Sequence, residues 1–183
     1  MKKILLLFLV LFFIFVAADT AVADKDPGET MAISVKEVSP FVYCCIPHTG
    51  PFTEIEKIIG QLMPAMQSQN VAPAGPMIGI FYNSPEEVKP EELQWEIGFP
   101  VTAQVQVLAP LEKKIWEYKT VVSAIHIGPY ENTGETIAKM MEWMNAEGLA
   151  MIGPLMERYL TMPTPGTKPE DMKTEIWIPC KKN

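Results

Sequence analysis

The sequence predicts an α+β fold made of one unit used twice, strand-helix-strand-strand. His48-Thr49-Gly50-Pro51-Phe52 returns as His126-Ile127-Gly128-Pro129-Tyr130, an offset of 126 − 48 = 78 residues. Gly75-Pro76 returns as Gly153-Pro154 at the same offset, 153 − 75 = 78. Lys89-Pro90-Glu91-Glu92-Leu93-Gln94-Trp95-Glu96-Ile97-Gly98-Phe99-Pro100 returns as Lys168-Pro169-Glu170-Asp171-Met172-Lys173-Thr174-Glu175-Ile176-Trp177-Ile178-Pro179, at 79, with one residue inserted around Pro163 to Thr167. Three ordered landmarks at offsets of 78, 78 and 79 mark a tandem duplication. Repeat 1 spans about residues 35–108 and repeat 2 about 111–180, within a single domain of residues 35–183.

Each unit opens with an apolar strand, Phe41–Ile46 in the first copy and Thr120–Ile127 in the second. Gly-Pro then breaks the ladder and starts a helix, because proline suits a helix's first turn. Ile55, Ile59, Leu62 and Met66 recur at intervals of three and four in the first helix, and Ile137, Met140, Met141 and Met144 in the second. Such stripes bury one helix face, with methionine as adaptable filler. Asn70 and Gly148 are equivalent residues suited to the left-handed turn that ends a helix. Pro64, inside the first helix, is expected to kink or split it. Two strands complete each unit, Ile78–Tyr82 with Gln94–Val101, then Leu155–Leu160 with Thr174–Pro179. The alternation in Thr102-Ala103-Gln104-Val105-Gln106-Val107 predicts a long central strand, and Trp116 and Tyr118 begin the second copy.

Along Thr174–Pro179 the side chains alternate, so Thr174, Ile176 and Ile178 share one face while Glu175 and Trp177 share the other. Glu96 is the counterpart of Glu175, and Gly98 that of Trp177. Two copies side by side place both helices on one sheet face and leave the other open around a pseudo-twofold axis. A ligand cleft is expected on that open face. Glu157 and Arg158 read as a solvated strand surface, and Phe81 and Trp95 as core.

Composition excludes several functions. Residues 1–23 read as a secretory signal peptide, with Lys2 and Lys3, an apolar run from Ile4 to Ala18, and Ala21-Val22-Ala23 as the cleavage site. The apolar run is shorter than the roughly 20 residues that cross a bilayer, so an uncleaved anchor is the lesser reading and no stable span is expected after cleavage. Residues 24–34 form a polar lead-in. Cleavage takes the net charge from −7 to −8 by removing two lysines and one aspartate. An acidic chain without basic clusters does not bind nucleic acid electrostatically. In an exported chain one of Cys44 and Cys45 could bridge to Cys180, and buried free thiols are the alternative. No metal-ligand spacing occurs, and no cofactor is expected.

Gly128-Pro129-Tyr130-Glu131, the helix end Glu142–Leu149, Gly153-Pro154, Tyr159-Leu160 and Thr174–Pro179, taken as an ordered set, resemble the GyrI-like small-molecule-binding domains. The resemblance covers about Val35 to Cys180 and implies a pseudo-symmetric antiparallel sheet, two helices and a central pocket for amphipathic, often cationic or aromatic molecules. It implies a pocket glutamate at Glu175 with Tyr159 on the preceding strand. Trp177, Glu96, Tyr82 and Tyr130 complete the candidate ligand-binding set. Some members resemble hydrolases of cyclopropane-containing electrophiles, which would make Glu175 and Tyr159 catalytic. Haem binding, as in a family with a related tandem fold, is a further and weaker alternative. No DNA-binding domain is recognisable, and the expected setting is the periplasm or the exterior.

Overall fold

The computed structural model describes residues 31–162, 164 and 166–183. The signal peptide and most of the lead-in lie outside these. The strands are β1 (Ser34–Glu37), β2 (Phe41–Thr49), β3 (Met77–Phe81), β4 (Gln94–Pro100), β5 (Glu112–Trp116), β6 (Thr120–Ile127), β7 (Leu149–Met151), β8 (Leu155–Tyr159) and β9 (Lys173–Lys182). The helices are α1 (Ile55–Ser68) and α2 (Thr133–Ala146). One antiparallel sheet runs β1-β6-β9-β8-β3-β4-β2-β5, with β7 paired to the end of β9.

The duplication is visible in the pairing. Gly79 lies directly opposite Glu157 across β3 and β8, and 157 − 79 = 78 makes them counterparts. The pseudo-twofold axis therefore passes between these two residues. From there a row of paired residues crosses the sheet in both directions: Glu157, Ile176 and Ala124 one way, Gly79, Ile97 and Ile46 the other. This row belongs to the helix face. Ile58, Leu62 and Met66 of α1 pack with Cys44, Ile46 and Ile97, while Met140 and Met144 of α2 pack with Val122, Ala124 and Ile176. Both helices cover the same face, as expected.

The opposite face is not an open cleft. Strand β1 sits at one end of the sheet and β2 near the other, yet only residues 38–40 join them. The link from β5 to β6 has the same geometry. These short links force the sheet to curl until its ends meet, where Val38 N–H donates to Lys119 O at 2.7 Å. The enclosed inner face fills with Tyr43, Ile78, Ile80, Trp116, Met156 and Trp177. Each repeat also lends its leading strand to the other, since β1 pairs with β6 and β5 with β2.

Other expectations need correcting. Of the kink or split expected at Pro64, the split does not occur, and helix α1 is continuous from Ile55 to Ser68. Gly60, whose carbonyl loses its bond to Pro64, is exposed along with the proline, so water can satisfy it. Met141 belongs to the solvated side of α2 at 43% exposure, and Thr133 and Thr136 take buried places instead. Strand β4 stops at Pro100, and Thr102–Val107 is not a strand. Lys113 Nζ donates to Ala103 O and Val105 O, both at 2.7 Å, tying that stretch down as a loop. Asn70 and Gly148 do take positive φ, 54° and 66°. Cys44, Cys45 and Cys180 are free and buried, and burial pushes all three thiols up in pKa. They behave as small apolar side chains.

Gly98 has a packing reason. A Cβ there would lie 2.1 Å from Cys44 O and 2.8 Å from Cys45 Cα. These are atoms of the neighbouring strand's backbone, which cannot rotate away. Gly98→Ala is expected to cost about 2–3 kcal/mol in urea unfolding, at the upper end of overpacking effects.

Candidate ligand sites on the two faces of the sheet

Alternation along β9 puts Glu175 and Trp177 on the inner face, as predicted. Lys36 Nζ donates to Glu175 Oε1 at 2.8 Å and Ser123 Oγ donates to the same oxygen at 3.2 Å. Arg158 donates to Oε2. The Arg158 guanidinium also stands over the Trp177 ring, 4.3 Å from its centroid, and Lys36 is 5.5 Å from it. Burial pushes the Glu175 carboxyl up, but the hydrogen bond from Lys36 and the charges of Arg158 and Lys36 outweigh this and hold it below the usual range. The indole N–H of Trp177 adds a favourable dipole without reaching hydrogen-bond geometry. The cation place beside this acid and indole is thus filled by the protein's own side chains.

Glu96 repeats the arrangement with different partners. It accepts from Tyr43 Oη at 2.6 Å, Tyr82 Oη at 3.0 Å and Lys114 Nζ at 2.5 Å. Lys36 and Lys114 are themselves counterparts, 114 − 36 = 78, each reaching from a leading strand to the other repeat's acid. Burial and the adjacent Glu96 push the Tyr82 hydroxyl up to about 12, and the same causes carry Tyr43 higher still. Burial works against the Lys114 charge, yet its bond to Glu96 leaves its pKa raised.

Tyr159 is not where the sequence placed it. It precedes β9 on β8 but pairs with Thr174, not Glu175, so it points to the helix face while Glu175 points inward. Glu175 and Tyr159 cannot act on one substrate atom. Tyr159 Oη instead donates to Glu157 Oε2 at 2.9 Å, and its ring meets Tyr130 edge-on at 5.2 Å. The hydroxyl of Tyr130, at the entrance to α2, is held by Thr161 O at 2.5 Å. Gly79 makes room for this group, since a Cβ there would sit 2.8 Å from Tyr159 Oη.

Glu157 and Arg158 are therefore not a solvated surface. Glu157 is 6% exposed, and among the described residues no cation pairs with it. Burial pushes its pKa up, with the neighbouring Thr133 and Tyr159 hydroxyls giving only partial relief. The six candidates sort into two groups, Glu175, Trp177 and Glu96 on the inner face with the exposed Tyr82 reaching Glu96 from its rim, and Tyr159 and Tyr130 on the helix face. Glu157, Arg158, Lys36 and Lys114 were missed. Extending the repeat offset to the lysines would have linked Lys36 with Lys114.

The histidines offer iron little. His126 Nδ1 contacts Thr136 Oγ1 at 2.9 Å and Nε2 contacts Pro129 O at 3.1 Å, so both ring nitrogens are engaged. His48 Nε2 lies 2.7 Å from Glu54. Among the described residues no group of three or more His, Cys, Asp or Glu side chains gathers to hold a metal, and no helix is long and apolar enough to cross a membrane.

A twofold-duplicated sheet with paired helices and buried acids beside aromatic rings defines a small-molecule-binding class of domain. The model for the GyrI-like small molecule binding domain matches residues 31–181, and the chain belongs to that family. The fold is similar to the EcmrR C-terminal domain, at TM-score 0.74 and 18% identity, covering 84% of this chain and 99% of that one. Against EcmrR in its DNA complex the TM-score is 0.73 and the identity 18%, covering 84% of this chain and 58% of that one. A hydrolase encoded by lin2189 from Listeria innocua follows at TM-score 0.62 and 17% identity, covering 81% and 91%. SAV2435, solved bound to tetraphenylphosphonium, aligns at TM-score 0.52 and 11% identity, covering 82% and 94%. No curated protein matches the chain.

Proposed function

We infer that this domain binds amphipathic, cationic aromatic small molecules, and that Glu157 on the helix face is the acid that receives their charge. One observation carries this reading. Of the three buried acids on the sheet, Glu96 and Glu175 each hold a lysine of the protein, while Glu157 has only hydroxyl partners. A buried carboxyl without a counterion gains most from an incoming cation, because the ligand supplies the compensation that the fold withholds. Tyr159 and Tyr130 supply ring surface beside it, with cation–π attraction of roughly 0.5–2 kcal/mol. Tyr130 is half-buried, which gives the group a route to solvent. The similarity to SAV2435, which binds a lipophilic cation of this kind, supports the same ligand class.

The test is a fluorescence titration with tetraphenylphosphonium and with tetraphenylborate, ions of like shape and opposite charge. Saturable binding of the phosphonium alone is expected. Equal binding of both would show that shape and apolar area, not the acid, decide recognition.

A second reading has its own support. The 2.9 Å bond between Tyr159 and Glu157 joins a hydroxyl donor to a general base, the pairing a hydrolase of cyclopropane-type electrophiles would use. Turnover of such a compound that disappears in Glu157→Gln would establish it. The signal peptide read over residues 1–23 would place either activity in the periplasm or outside. Mass spectrometry of protein from the producing cells should then find a chain beginning at Asp24.

A further inference from the structure

A shallow pocket of about 450 Å³ lies at the end of the sheet formed by β2, β4 and β5, lined by Thr49, Tyr82, Gln94, Glu96 and Lys114 with His48. We propose that this pocket is a second, separate site that takes primary ammonium compounds, the ligand amine replacing the Lys114 ammonium on Glu96.

The back of the pocket is already an ammonium receptor. Glu96 is 1% exposed, with Tyr43 and Tyr82 on one oxygen and Lys114 Nζ on the other at 2.5 Å. The lysine that fills it is not locked. Its side chain is 32% exposed, and a second acid, Glu112, waits 3.4 Å from Nζ with 55% of its side chain in solvent. Lys114 can therefore shift its charge to Glu112 while an incoming R–NH3+ takes its hydrogen bonds to Glu96. No ion is left unpaired in the exchange, which keeps its cost low. A primary ammonium can donate to Glu96 Oε2 as Lys114 does, and a quaternary ammonium has no N–H to donate. The ligand's chain then runs along Thr49 and Gln94 toward solvent.

The other repeat lacks this option. The counterparts of Thr49, Tyr82 and Gln94 are Ile127, Leu160 and Lys173. The equivalent acid, Glu175, holds Arg158 stacked on Trp177, whereas Glu96 has Ile80 and Gly98 at those places. One exchangeable site per chain follows.

The experiment is calorimetric titration with ethanolamine and its N,N,N-trimethyl analogue, neither of which carries the aromatic surface that the Glu157 site takes. The primary amine should bind with one site per chain and the trimethyl analogue at least tenfold more weakly. Lys114→Met, which removes the internal competitor, should tighten amine binding about tenfold or more. Glu112→Gln, an exposed change that leaves the fold intact, should weaken it by denying Lys114 its alternative partner. Glu157→Gln should leave amine binding unchanged, so failure here is separable from failure of the phosphonium site. Amine affinity that is insensitive to both Lys114→Met and Glu112→Gln, or equal binding of the two amines, would overturn the proposal.

Discussion

Replacing Glu157 with glutamine is expected to weaken tetraphenylphosphonium binding about 30- to 150-fold, the roughly 2–3 kcal/mol lost when one partner of a desolvated charge pair is removed. Glutamine keeps the shape and can still accept from Tyr159, so the loss reports charge and not packing. The pH profile makes the test sharper. Burial holds the proton on Glu157 above the ordinary glutamate range, while a bound cation favours the ionised form. Binding therefore expels a proton, and affinity in the wild type should rise with pH through that range and then level off. In Glu157→Gln it should be flat. Stability moves the opposite way. The folded state binds more protons than the unfolded one between the two pKa values, so unliganded stability falls as pH rises there. That decline too should vanish in the variant, as read by thermal melts across pH.

The second large effect is structural. Glu175→Ala leaves Arg158 and Lys36 without their shared acid, and Arg158 is only 22% exposed at its side chain. Stranding a fully buried partner costs about 3–5 kcal/mol. Because Lys36 is 47% exposed and can turn to water, about 2 kcal/mol is expected, or about 4–8 °C in Tm for a chain of this size. Adding Arg158→Met should recover part of the loss, since the stranded guanidinium goes with it. The Glu175 carboxyl titrates below its usual range in the folded chain. Its contribution is therefore present above the unfolded pKa and is lost as pH falls through the lowered folded value. In Glu175→Ala this acid-side loss is absent, so stability should fall less steeply from neutral pH into acid than in the wild type.

Much of the fold was legible in the sequence because duplication is a pattern of identity and spacing, which needs no packing knowledge. The offset of 78 predicted two equivalent helices, their shared face and the left-handed residues Asn70 and Gly148. Strand alternation separated Glu175 and Trp177 from the isoleucines of β9. What escaped was register and long-range closure. Whether Tyr159 stands beside Glu175 depends on how β8 pairs with β9, and a one-residue difference sends a side chain to the other face. The open cleft failed for a similar reason. Only the links at residues 38–40 and 117–119 show that the sheet's ends must meet, and they show it only once the strand order is known. Arg158 and Glu157 looked solvated because adjacent charges usually are. Here Arg158 lies half-buried against an indole and Glu157 is buried beneath a helix.

The most direct test of where the cation sits is a crystal of this domain soaked with tetraphenylarsonium, locating arsenic by its anomalous signal. One site is expected on the helix face, with the arsenic facing the Glu157 carboxyl and within about 6 Å of the Tyr159 or Tyr130 ring centroid. Arsenic on the inner face beside Glu175 and Trp177, displacing Arg158, would contradict it.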